Sequence, residues 1–130
     1  MENRVLVISS HPAFGKAIQI SLAESSGYVI DVVFSWEDLE KNDPNIIYDL
    51  LIIDIDSSDT NWINSIIKTQ NSLPFVKTIV FHSDINTQYQ ISQQIKVDTF
   101  CDKPFYMPGF LKEINELLIG NQSEVKTPHQ

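Results

Sequence analysis

Residues 49–54 read Asp49-Leu50-Leu51-Ile52-Ile53-Asp54, an unbroken aliphatic run opened and closed by a carboxylate. A strand with one wet face alternates apolar and polar side chains; a continuous apolar run of strand length instead fits a strand covered on both faces. Asp49–Asp54 is therefore read as the centre of a parallel sheet. Val5-Leu6-Val7-Ile8 and Thr78-Ile79-Val80-Phe81 have the same character and end on polar clusters, Ser9-Ser10-His11 and His82-Ser83-Asp84. Tyr28–Phe34 and Val97–Cys101, richer in β-branched and aromatic residues, supply a second and a fifth strand.

The segments between these runs carry helical spacing. Pro12 suits a first helical turn, Phe14, Ala17, Ile18 and Leu22 recur on one face, and Gly27 stands where a helix end takes a left-handed residue. Ser35-Trp36-Glu37-Asp38 offers an N-cap followed by carboxylates, and the short helix it starts reaches about Asn42 before Pro44. Trp62, Ile63, Ile66 and Ile67 mark a third helix, residues 85–95 a weaker fourth, and Phe110, Leu111, Ile114, Leu117 and Leu118 a fifth. Strands alternating with helices predict an α/β fold with a doubly wound five-stranded parallel sheet. The 130 residues fit one domain over 1–119, with 120–130 a polar, frayed tail or linker.

Composition narrows the function classes. Hydrophobic residues make up 42% and charged residues 20%, values of a globular chain rather than a disordered one. A net charge of -8 without a Lys or Arg cluster argues against a nucleic-acid surface. No apolar run approaches the roughly 20 residues that span a bilayer, and no signal-peptide core is present, so no membrane association and a cytoplasmic location are expected. The single cysteine, Cys101, excludes an internal disulfide and reads as a buried strand residue.

In a doubly wound sheet the ligand site lies beyond the carboxyl ends of the strands. Those ends carry Ser9, Ser10 and His11, then Asp54 and Asp56, then Ser83 and Asp84, then Lys103. A strand-end carboxylate can serve as a nucleophile, a hydroxyl can donate to a phosphoryl oxygen, and an ammonium can offset the arriving negative charge. Singly, these are ordinary surface residues: a solvated carboxylate, a helix cap and a free lysine. His11 reads as a plain loop histidine, and alternation along the strand turns His82 away from the side Ser83 faces.

In this order the residues resemble the receiver domain of bacterial response regulators. The resemblance covers about residues 4 to 119, through Val5–Ile8 with Pro12, Tyr48–Asp54, Ser83, and Lys103-Pro104-Phe105. It implies a flavodoxin-like receiver fold and a role in phosphorelay (two-component) signal transduction. Asp54 matches the phosphoacceptor, Ser83 the switch hydroxyl, Lys103 the phosphate-binding lysine, and Phe100 the aromatic whose rotamer reports the switch. The peptide before Pro104 is usually cis in the family.

The chain departs from the family at the first strand, where Ser9-Ser10 replaces the adjacent acidic residues that hold Mg²⁺. Hydroxyls are weaker ligands than carboxylates for a hard dication, so the metal site, left to Asp54 and Asp56, is weakened. The partners implied are a histidine kinase or phosphotransfer protein upstream, and a downstream protein docked on helix four, strand five and helix five. Residues 85–95 hold no charged side chain, which suits such an interface or a homodimer. The alternative is a pseudo-receiver, a protein-protein interaction module that works without phosphorylation. Asp54-Ile55-Asp56-Ser57-Ser58 is also similar to the nucleophile motif of haloacid-dehalogenase-type phosphatases. That motif follows the first strand of its domain, not the third, and no paired carboxylates come after Lys103, so an enzyme is not expected.

Overall fold

A computed structural model describes residues 3–55, 59–82, 84–103 and 107–126, without the side chains of 25, 26, 107 and 120–126. The order is β1 (Arg4–Ser9), α1 (Pro12–Ser26), β2 (Val29–Val33), α2 (Trp36–Lys41), β3 (Leu50–Asp54), α3 (Thr60–Ser72), β4 (Lys77–His82), α4 (Ile85–Ser92), β5 (Thr99–Asp102) and α5 (Met107–Lys126). The five strands form one sheet, ordered β2-β1-β3-β4-β5, and every pairing is parallel.

Alternation along the strands divides the core. Leu6, Ile8, Leu51, Ile53 and Val80 face one side and pack with Leu39, Trp62, Ile63, Ile66 and Ile91 from α2, α3 and α4. Val5, Val7, Leu50, Ile52, Ile79 and Phe81 face the other, where Ile18 and Leu22 of α1 and Phe110, Ile114 and Leu118 of α5 cover them. Every residue of β3 is buried, as its continuous apolar run predicts.

Local signals account for several boundaries. Ser35 caps α2 by accepting from the Asp38 N–H (3.1 Å), and Gly27 ends α1 at φ 73°, a left-handed conformation that costs glycine little. Others differ from expectation. β5 begins at Thr99, not Val97, because the Asp98 carboxylate accepts from the Thr78 N–H (2.8 Å), so the Asp98 side chain takes the place of a ladder bond. α4 closes at Ser92, three residues early, where the Ile91 carbonyl accepts from both Gln94 N (3.0 Å) and Ile95 N (3.1 Å), the shared bonding typical of a helix end. α5 continues to Lys126, past Gly120, where the sequence reading began the tail. One helical glycine costs only about 1 kcal/mol, too little to stop a helix whose earlier turns are anchored by Phe110, Ile114 and Leu118. Among the described residues, no helix is long and apolar enough to cross a membrane.

Candidate functional site

The register of β1 against β3 places Ser9 beside Asp54 at the carboxyl end of the sheet. Both are buried, Ser9 at 0% and Asp54 at 2% exposure. A carboxylate so enclosed must be neutralised or hydrogen bonded. Here it is both: the Lys103 ammonium forms an ion pair with Oδ1, and the Ser9 hydroxyl lies 3.2 Å from Oδ2. Ser10 completes the seam, its N–H donating to the Asp54 carbonyl at 2.9 Å.

Lys103 follows β5 directly, and its backbone N–H donates to the His82 carbonyl at 3.2 Å. Its ammonium also lies 4.6 Å from the centroid of the Phe14 ring, which packs edge-on against Phe81 at 5.1 Å. The lysine is thus held between an aromatic floor and the carboxylate, an arrangement that favours one position of a flexible side chain. Gly15 explains how α1 comes so close: a Cβ there would meet Ser9 Cβ at 3.0 Å and Phe34 Cε1 at 2.9 Å.

Phe100 is half-buried in β5, and its ring meets the His82 imidazole edge-on at 5.4 Å. His82 Nε2 pairs with Asp102 at 3.2 Å, and Nδ1 lies 3.2 Å from the Asp84 carbonyl. Asp84 caps α4, and the Thr87 N–H donating to its carboxylate at 2.8 Å holds its carboxyl below the usual range. His11 sits at the start of α1 with an exposed side chain that makes no cap bond. Cys101 is a buried strand residue that donates to Glu113. Ser83, Asp56 and the peptide before Pro104 lie outside the described residues.

Asp54, Lys103, Ser9 and Ser10 are thus brought together, whereas Phe100 stands two strands from β3, paired with Val80 of β4. Phe14 and Gly15 belong to the site as well. Phe14 carried only a helical-stripe signal in the sequence, and nothing marked Gly15.

The donor groups among the described residues are a poor match to Mg²⁺. Asp54 and Lys103 cancel in charge, the remaining described groups are hydroxyls, and the Ser9 oxygen already accepts from the His11 N–H at 3.0 Å. Among the described residues, no cluster of three His, Cys, Asp or Glu side chains could hold a metal ion. A hard dication favours several carboxylate oxygens.

No protein-family model matches the sequence, and no curated protein sequence matches it. Solved structures do match. One is a CheY-like response regulator receiver domain protein from Methanospirillum hungatei, with TM-score 0.78, 18% identity, and 95% of this chain and 99% of that chain covered. The chemotaxis protein CheY4 of Vibrio cholerae is similar at TM-score 0.73 and 14% identity, covering 90% of this chain and 99% of that one. A Burkholderia pseudomallei response regulator, whose structure holds a phosphorylated aspartic acid, a calcium ion and citrate, matches at TM-score 0.70 and 19% identity, covering 95% and 72%. Strand order, layers and these likenesses agree that the chain has the fold of CheY-like receiver domains.

Proposed function

We propose that this chain is an atypical response-regulator receiver of two-component signal transduction, with Asp54 as its phosphoacceptor. The observation that carries the reading is the buried Asp54 carboxylate at the end of the central strand, ion-paired with Lys103. An Asp54 oxygen attacks the phosphorus of a phosphohistidine on a kinase or phosphotransfer protein. The P–N bond breaks, its electron pair returns to the imidazole, and the imidazole takes a proton from water. Lys103 stays within reach of the new acyl phosphate and offsets part of its charge. The product is held as a signal, so the chain is an acceptor rather than a turnover enzyme, and it works in the cytoplasm with its kinase.

Readout falls to Phe100 and to Ser83, the residue between His82 and Asp84. Ile85 and Tyr89 on α4 are 76% and 65% exposed, and α4 carries no charge, which supports a protein docked over α4, β5 and α5 or a homodimer there.

The Ser9 bond to Asp54 favours a second reading, a phosphorylation-independent pseudo-receiver that acts as an interaction module. Both Asp54 oxygens are engaged, so the carboxylate is stable as it stands. Intact-mass measurement after incubation with acetyl phosphate separates the two. A single phosphoryl mass gain, absent in Asp54→Ala, supports the acceptor; an unchanged mass in all conditions supports the pseudo-receiver.

A further inference from the structure

We infer that Ser9 takes over the place of the divalent cation, making the Asp54 pocket independent of metal. The inference deepens the acceptor reading in its chemical consequence and rests on it there; its metal-binding content stands alone.

A receiver-type carboxylate at the end of β3 needs something to hold it in place and to balance its charge. Lys103 balances the charge at Oδ1. Ser9 holds Oδ2, from a position fixed by strand pairing rather than by a flexible loop. Its oxygen accepts from the His11 N–H at 3.0 Å, and its proton has two acceptors within reach, Asp54 Oδ2 at 3.2 Å and the His11 carbonyl at 3.0 Å. A hydroxyl has one proton to give. Directed at Asp54 it holds the carboxylate; rotated to His11 it leaves Oδ2 without that donor, and no heavy atom has to move.

A dication has little reason to enter. With Asp54 and Lys103 cancelling, the described pocket offers no net negative charge, and the Ser9 oxygen it would approach has an N–H directed at it. Ser10 adds a neutral hydroxyl and no charge, its oxygen lying 3.5 Å from the Asp54 carbonyl. Dehydrating Mg²⁺ for such a site is unfavourable, because that ion gives up water only to strong oxygen donors.

The test is a titration of the full chain with Mn²⁺, followed by paramagnetic broadening of backbone amides. Millimolar Mn²⁺ should broaden Ser9, Ser10 and Asp54 no more than amides near exposed carboxylates such as Glu37. The double variant Ser9→Asp/Ser10→Asp should gain selective broadening at the same amides. Selective broadening of the wild-type pocket, abolished by Asp54→Asn, would overturn the inference, and this arm does not need the double variant to fold. Acetyl-phosphate labelling is then compared in EDTA and in Mg²⁺. Equal mass gain in both agrees with the inference, and gain only with Mg²⁺ overturns it while leaving the acceptor reading intact. No gain in either condition, with Mn²⁺ still excluded, removes the acceptor reading and leaves the metal-free pocket standing.

Discussion

Replacing Gly15 by alanine sets two known effects against each other. Gly15 lies inside α1, where alanine is favoured over glycine by about 1 kcal/mol. That gain applies only if the new methyl has room. Its position falls 2.9 Å from Phe34 Cε1, 3.0 Å from Ser9 Cβ and 3.3 Å from Ser9 Oγ. Phe34 is half-buried, and its ring edge can swing away. Ser9 cannot: its Cβ is fixed to a backbone that sits between β2 and β3. Relief must come from lifting the first turn of α1, which carries Phe14 under Lys103. Overpacking of this kind costs about 1–3 kcal/mol, so the net change should be a loss of about 1 kcal/mol. For a domain of this size that lowers Tm by about 3–4 °C, or shifts the urea midpoint at unchanged m-value. Urea melts followed by tryptophan fluorescence would measure it. A variant more stable than wild type by about 1 kcal/mol would refute the close contact of α1 with Ser9, and with it the account of how the pocket is closed.

Ser35→Ala should cost about 1 kcal/mol in urea melts through loss of the α2 cap on the Asp38 N–H. Ile52→Ala, at a residue with 0% exposure in the central strand, should cost about 3–4 kcal/mol, and a loss below about 1 kcal/mol would contradict its packing. Burial pushes the Cys101 thiol up to about 12, with the Glu113 carboxylate adding to the effect, so iodoacetamide should label it slowly in the native protein and quickly in denaturant. The same shift has a fixed sign for stability. The unfolded thiol ionises near 9.0 and the folded one about 12, so its contribution is intact below pH 9 and is lost as pH rises toward 12. Alkaline melts of wild type should therefore fall more steeply over that window than those of Cys101→Ala.

The parts of this fold that local chemistry dictates were legible in the chain. The Leu50–Ile53 run, the Ser35 cap and the Gly27 terminus each follow from residues within a few positions of one another. Boundaries set from a distance were not. Asp98 delays β5 because its carboxylate reaches a strand 20 residues earlier, which no periodicity encodes. The anchored core face of α5 carries the helix past a glycine that reads, locally, as a stop. The site divides in the same way. Asp54 and Lys103 stand out as polar residues at the ends of apolar runs, whereas the Ser9 hydroxyl gains meaning only once the sheet register sets it against Asp54. Phe14 had a helical signal that named its helix but not the ammonium above it.

The interior position of β1 also bears on how the chain is made. Of the five strands it is synthesised first, yet it has a partner on each edge, and its contact with Asp54 closes a separation of 45 residues. At ordinary translation speeds those residues take roughly 2–9 s to appear. Throughout that interval an apolar strand waits with at least one edge unpaired, the condition under which neighbouring nascent chains associate. Soluble yield in a cell should therefore depend on the pace of translation through the segment ending at β3, even where the stability of the finished fold is unchanged.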